Sequence, residues 1–142
     1  MRVQTEEWRR FIPGVRMYKG KKTYFYNGEI LLERDRPNPD PDPVIYDFKE
    51  RQTWEVIIIL PGVEIIRAWT FSECYNVKTV IMADTVTRID HRTFNRCENL
   101  NFVKLSRNLE YIGEGSFGLC KLLTSIYIPD SCREIDAFVF HH

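Results

Sequence analysis

The sequence lacks a long apolar run and a net charge, and these two absences exclude several classes of protein. The longest uninterrupted apolar stretch, Val56 to Leu60, has five residues, whereas a transmembrane helix needs about twenty. Twenty Lys and Arg residues balance twenty Asp and Glu residues, which argues against nucleic-acid binding by the chain as a whole. The first ten residues also lack the apolar segment of a secretory signal. If the chain begins at its natural start, we expect an intracellular, cytoplasmic protein with reduced cysteines and neither a membrane nor nucleic acid as partner.

Motifs that carry chemistry are missing as well. The sequence has no glycine-rich phosphate loop, no nucleophile elbow and no Cys-x-x-Cys pair. Cys74, Cys97 and Cys120 are equally spaced, but no histidine shares their spacing, so we interpret them as buried core thiols and not as metal ligands. His91 is expected on the solvated surface, without a nucleophile partner. The sequence therefore predicts no enzyme: no catalytic residue, no metal and no cofactor.

What the sequence does have is a repeat of 23 residues between Val63 and Phe140. Each copy places the same residue types at the same offsets. The first column is aliphatic except for a cysteine in the last copy, and the others hold isoleucine, phenylalanine and cysteine. The columns are Val63, Val86, Leu109 and Cys132; Ile66, Ile89, Ile112 and Ile135; Phe71, Phe94, Phe117 and Phe140; and Cys74, Cys97 and Cys120. A fixed period of this length is the sequence signature of a solenoid.

The fold class that we predict is a β-rich solenoid, a right-handed stack of about four coils with short helical turns. The alternating apolar segment from Leu123 to Ile128 predicts a strand in each coil, and the segment around Phe117 is compact enough for one helical turn. Coils stack at the strand spacing of about 4.8 Å, so equivalent side chains lie over one another. The phenylalanines are therefore expected to form a single buried file.

Residues 1–43 do not share the repeat, and we assign them to an N-terminal cap and linker, with the solenoid over residues 44–142. Thr5 is a candidate helix cap. Residues 15–32 predict a three-stranded meander with turns at Lys19-Gly20 and Asn27-Gly28, and this small unit is expected to dock on the first coil. Alternating prolines between Glu33 and Pro43 favour an extended linker or surface loop.

The repeat also predicts which strand residues point away from the core. We align Ile58 and Leu60 with Ile126 and Ile128, which requires one residue fewer before Val63. Alternation then leaves two rows on the opposite face, and these are our candidate partner-binding residues. They are Ile57, Thr79, Phe102 and Ser125, and Ile59, Ile81, Lys104 and Tyr127. Exposed apolar and aromatic residues on one face indicate an interaction site, although strand propensity or a covering segment would account for them equally well.

The repeats resemble the BspA-type class of leucine-rich repeats. The resemblance lies in Cys97-x-x-Leu100-x-x-Val103-x-Leu105 and in Cys120-x-x-Leu123-x-x-Ile126-x-Ile128, with a phenylalanine three residues before each cysteine. It covers residues 56–140. The resemblance implies a binding or adhesion module without catalytic activity.

We therefore expect a protein-interaction module that binds another protein across its strand face. The alternative is a structural, self-associating or adhesion-type repeat protein that forms a homo-oligomer through its C-terminal edge, or a fragment of a longer array.

Overall fold

The computed structural model describes residues 13–28 and 48–141. Within these ranges the elements are β1 (Gly14–Tyr18), β2 (Lys21–Tyr26), α1 (Phe48–Arg51), β3 (Val56–Ile59), β4 (Ile65–Ile66), β5 (Thr79–Met82), β6 (Arg88–Ile89), β7 (Phe102–Lys104), β8 (Tyr111–Ile112) and β9 (Glu134–Ile135).

Two ladders of parallel strands run along the repeat region. The longer strands form one sheet in the order β1-β2-β3-β5-β7, and the two-residue strands form a second in the order β4-β6-β8-β9. Val80 pairs with Val103 and Ile89 pairs with Ile112, so each residue lies beside its equivalent in the next coil. The chain is a β-solenoid, as the period predicts, but it has about three turns and not the four coils expected.

The side of the solenoid that joins the two ladders is built from turns and not from the predicted helical turns. Residues 68–73, 91–96 and 114–119 form these turns. Each contains two residues at positive φ; in the first they are Trp69 (65°) and Glu73 (60°), and in the second Arg92 (54°) and Arg96 (61°). A right-handed helix cannot contain left-handed residues at this spacing, so the single helical turn is not formed.

The predicted phenylalanine file is confirmed. Phe71, Phe94, Phe117 and Phe140 stack with neighbouring ring centroids 5.5, 5.3 and 5.9 Å apart and ring planes within 17° of parallel. The first three rings are no more than 1% exposed. Each ring is covered by the ring of the next coil. Water is therefore excluded from the interior of one coil only when another coil is stacked on it.

The N-terminal hairpin extends the long sheet. β1 and β2 pair antiparallel around Lys19-Gly20, and β2 pairs in parallel with β3, which confirms docking on the first coil. Tyr24 stacks on Trp54 at 4.4 Å, so the hairpin contributes aromatic rings to the core. Both edges of β2 are occupied, by β1 and by β3, so the predicted meander, in which this strand would also pair with residues 29–32, is wrong beyond its first hairpin. Gly28 forms a bend with a φ of 93°. The predicted cap at Thr5, residues 29–32 themselves and the linker from Glu33 to Pro43 lie outside the described residues.

The fourth coil is formed only in part. Residues 124–128, although described, adopt no strand, so the strand predicted from Leu123 to Ile128 is absent there. Ile126 and Ile128 nevertheless pack against the core, half-buried. β9 pairs with β8 and is the part of this coil that joins a ladder.

Candidate interaction surface

The predicted alignment of the first coil is wrong by one residue, which moves two candidate residues into the core. Ile57 pairs with Val80 and Ile59 with Met82, so the period of 23 continues into β3 without a deletion. Both isoleucines are 0% exposed. Because side chains alternate along a strand, a shift of one residue exchanges the two faces. Ile57 and Ile59 are therefore core residues and cannot contact a partner.

The N-terminal part of the outer face is itself buried. Ile58 and Ile81 are neighbours on adjacent strands, and they form a second apolar cluster with Phe25, Leu60 and Ala83. Ile81 is only 4% exposed, so the candidate site loses a third isoleucine. This cluster was not predicted, although the 23-residue spacing between Ile58 and Ile81 indicates that the two residues pair.

The remaining candidates form what we term the exposed strand surface: Thr79, Phe102 and Lys104, which lie on β5 and β7, and Ser125 and Tyr127, which occupy the equivalent positions of the next coil but form no strand. Phe102 is 53% exposed and Tyr127 is 78% exposed. Thr79 and Lys104 are half-buried and Ser125 is exposed. Lys104 lies beside Ile81 in the ladder and so borders the buried cluster, whereas Phe102 lies beside Thr79. Water-exposed aromatic side chains next to an apolar patch are the features that protein interfaces favour.

Side-chain contacts between coils hold the loops that follow these strands. Asp84 accepts hydrogen bonds from the backbone N–H and the Nε of Arg107, both at 2.9 Å. The Oγ of Ser131 donates to the carbonyls of Arg107 and Leu109 at 2.9 and 2.7 Å. These contacts link three successive coils, so the strand ends beside the exposed strand surface are held in place.

A ladder of side-chain amides holds the turn before the strands. The Nδ2 of Asn76 donates to the Gln52 carbonyl, and the Nδ2 of Asn99 donates to the Tyr75 carbonyl at 2.6 Å. Donor and acceptor are 24 residues apart in both bonds, so each asparagine satisfies a backbone carbonyl of the preceding coil. The equivalent position in the next coil is Leu122, which is 50% exposed and has no donor. The ladder therefore ends one coil early.

The outer side of the short ladder is less suited to binding a partner than the exposed strand surface is. Its only aromatic residue among the described strand positions is Tyr111, whose phenol donates to Asp136 and whose ring lies 4.0 Å from the Arg88 guanidinium carbon. The hydrogen bond to Asp136 raises the pKa of the Tyr111 phenol. Arg88 in turn donates to Asp90 at 2.6 Å. The ring face and the charges are thus already paired within the chain.

The cysteines and His91 lie where the sequence analysis expected them. Cys74, Cys97 and Cys120 are 0% exposed. The Cys97 thiol donates to the Phe71 carbonyl at 3.2 Å, and burial raises its pKa well above the usual value. Cys132 is half-buried against the core, and His91 is exposed, edge-on to Trp69. Among the described residues, no three His, Cys, Asp or Glu side chains are grouped to hold a metal ion.

A family model described as a BspA type leucine rich repeat region, with six copies, matches residues 45–142. The chain belongs to the BspA-type leucine-rich repeat family. The phenylalanine file, the cysteine column and the two parallel ladders are the structural form of this BspA-type repeat.

Two solved structures resemble this BspA-type chain. A leucine rich cell surface protein from Faecalibacterium prausnitzii A2-165 is 29% identical, with a TM-score of 0.59, over 61% of this chain and 23% of that one. A leucine rich repeat protein of T. pallidum is 20% identical, with a TM-score of 0.46, over 61% of this chain and 53% of that one. This chain therefore spans only 23% of the F. prausnitzii protein and 53% of the T. pallidum protein. No curated protein matches the sequence significantly.

None of the helices in the described part of the chain has the length and apolar character that crossing a membrane requires.

Proposed function

We propose that this protein is a non-catalytic interaction module and that it binds another protein across the exposed strand surface. The observation that carries the proposal is the pair of exposed aromatic residues, Phe102 at 53% and Tyr127 at 78%, on the outer side of two successive coils. Lys104, between them in the repeat, borders the buried apolar cluster at Ile81. Membership of a leucine-rich repeat family supports a binding role, since proteins with these repeats are generally binding modules.

Rigidity of the ladder supports the same role. Phe102 and Lys104 lie on β7, which pairs with β5 in a sheet anchored by the core, so their backbone is ordered before binding. A preordered surface loses less conformational entropy on association than a flexible loop does. Lys104 adds a positive charge beside the aromatic residues and favours a partner with an acidic group at that point.

The proposal is tested by exchanging the two exposed aromatic side chains for aspartate in one variant, Phe102→Asp with Tyr127→Asp. Wild type and variant, immobilised at equal density, are exposed to extracts of the source organism, and the captured proteins are identified and mapped by cross-linking. Loss of two interface anchors weakens binding by roughly 1,000-fold, since each such anchor contributes about 2 kcal/mol. Partners of the wild type should therefore be lost.

A matched control keeps the interpretation specific. Leu122→Asp places the same charge on a 50% exposed apolar residue in the turn before the strand position, outside the exposed strand surface. Circular dichroism should show that both variants fold. If the double variant retains every partner, or if Leu122→Asp loses the same partners, the exposed strand surface is not the binding site.

Self-association through the C-terminal edge and an intracellular location both stay predictions. The F. prausnitzii neighbour is described as a cell surface protein. That description applies to the neighbour, and fractionation of the source cell would locate this chain.

A further inference from the structure

A cleft on the turn side of the solenoid results from two glycines in a single coil. Gly115 occupies the repeat position at which other coils carry a large side chain, and all four positions have positive φ: Trp69 (65°), Arg92 (54°), Gly115 (65°) and Phe138 (59°). Three residues further on, Gly118 is flanked in the repeat by Asn95 and His141. One coil thus lacks the side chains that its neighbours project.

The space left by the glycines is an open cleft of about 290 Å³, which we term the turn-face cleft. Gly115 and Gly118 of one coil form what we term its floor. Arg92 and Asn95 of the preceding coil, Phe138 and His141 of the following coil, and Glu114 and Leu119 beside the glycines complete the lining. A Cβ built on Gly115 would lie 3.1 Å from the Arg92 side chain, and one on Gly118 would lie 3.1 Å from the Asn95 amide oxygen. The cleft therefore exists because these two residues have no side chain.

The polar groups of the cleft are available to a ligand. Within the described residues, neither Arg92 nor Glu114 belongs to an ion pair. The Arg92 guanidinium carbon lies 5.5 Å from the Trp69 ring, which orients it without using its hydrogen-bond donors. Asn95 adds an amide donor and acceptor, and Glu114 adds two acceptor oxygens. Donors and acceptors thus line the cleft together.

An exposed ring forms the apolar side of the cleft. Phe138 is 65% exposed, edge-on to His141 at 5.6 Å, and its backbone is in the left-handed region that disfavours a residue with a Cβ. A flat apolar ring opposite planar polar groups suits a ligand with one C–H face and several hydroxyls.

We propose that the turn-face cleft binds a neutral sugar ring, such as a terminal pyranose of a glycan. One cationic and one anionic side chain balance each other, so the cleft does not favour a ligand with net charge. The volume is at the small end of ligand pockets and suits one ring, not an extended chain. A zwitterionic amino acid would also match both charges, but in a cleft this open its ion pairs are screened by water and add little. This site is separate from the exposed strand surface and does not depend on the function proposed above.

The test is a titration of the ¹⁵N-labelled full chain with the methyl glycosides of glucose, galactose, mannose and N-acetylglucosamine, followed by NMR. We expect at least one sugar to shift the amide signals of Gly115 and Gly118, with a dissociation constant of about 1–10 mM, as ligand efficiency indicates for a ligand of this size. Gly115→Arg fills the cleft with the side chain that Arg92 carries at a similar positive φ, and it should weaken binding at least tenfold.

Phe138→Ser provides a second variant, because it removes an exposed ring and leaves the floor intact. It should weaken binding by a similar factor. Tyr127→Asp lies on the exposed strand surface and should bind the sugar as the wild type does. The proposal is overturned if no sugar shifts the cleft amides or if Gly115→Arg and Phe138→Ser both bind normally. Free glycine and leucine are titrated in the same way as the sugars. If only these amino acids shift the amide signals of Gly115 and Gly118, the ligand is not a sugar.

Discussion

Replacing Phe94 by alanine tests the stacking on which the fold depends. Phe94 is 0% exposed and lies between Phe71, with ring centroids 5.5 Å apart, and Phe117, at 5.3 Å. Truncation of a buried phenylalanine removes its transfer free energy and leaves a cavity, a loss of about 3–5 kcal/mol. Two stacked ring pairs are lost at the same time, and each contributes about 0.5–1.5 kcal/mol beyond burial. We therefore expect Phe94→Ala to lower the free energy of unfolding by an amount near the upper end of this range, about 4–5 kcal/mol.

The assay is urea denaturation followed by tryptophan fluorescence and circular dichroism. With a urea dependence of about 1.5 kcal/mol per molar, the midpoint should fall by about 3 M. A loss of this size is a large part of the 5–15 kcal/mol that stabilises a typical domain, so the variant is expected to be partly unfolded at 37 °C.

Two further variants separate burial from stacking. Phe94→Leu keeps most of the side-chain volume but removes the stacked ring pairs, so it should lower the free energy of unfolding by about 1–2 kcal/mol. Phe140→Ala removes a half-buried ring with one stacked neighbour, Phe117 at 5.9 Å, and should lose about half as much as Phe94→Ala. If Phe94→Ala leaves the midpoint unchanged, or lowers it no more than Phe140→Ala does, the file of rings does not stabilise the stacked coils.

Two more predictions concern single positions in other columns. Leu122→Asn should stabilise the protein by about 1 kcal/mol, because an amide at this position repeats the bond that Asn99 makes to the preceding coil; thermal or urea unfolding measures the change. Burial raises the pKa of the Cys97 thiol, so the folded state retains its proton where the unfolded state loses it. Stability from this group is complete below the unfolded pKa of about 8.5 and falls as the pH rises above it, by up to about 1.4 kcal/mol per pH unit. Urea midpoints measured from pH 7 to 10 should show the decline.

Each of these has its own control. Leu122→Ala removes the exposed side chain without adding a donor, so equal stability of the alanine and asparagine variants would contradict the ladder. Cys97→Ala removes the thiol that titrates, and its stability should fall less steeply between pH 8.5 and 10. An unchanged slope in that variant would mean that other groups cause the decline.

Much of the fold could be predicted from the sequence, because the same residue types recur every 23 residues. The spacing of Phe71, Phe94 and Phe117 predicted a file of rings, and the structure contains one. Turn residues such as Lys19-Gly20 predicted the first hairpin, since glycine accepts positive φ at low cost. The predicted helical turns failed because the period does not reveal backbone angles, and non-glycine residues such as Trp69 adopt positive φ there.

The candidate site was predicted less well. Thr79, Phe102, Lys104, Ser125 and Tyr127 remain on the exposed strand surface, whereas Ile57 and Ile59 are core residues and Ile81 is buried. The error at Ile57 arose from one assumed deletion in a coil whose preceding half does not follow the repeat. A strand with apolar residues on both faces, as in β3, gives no alternation with which to correct it.

The sequence by itself determined the period, the columns and hence the solenoid, because equal spacing between stacked coils forces equivalent residues over one another. Only the tertiary structure decided which part of the outer strand face is open to water. That depends on Phe25, from a hairpin outside the repeat, lying beside Ile58 and Ile81. Only the tertiary structure also revealed the turn-face cleft, which forms where two glycines are stacked between coils with larger side chains. Both features are contacts between segments distant in sequence. The repeat aligns Ile58 with Ile81 and Gly115 with Arg92 and Phe138, but it gives neither the position of Phe25 nor the space over the glycines.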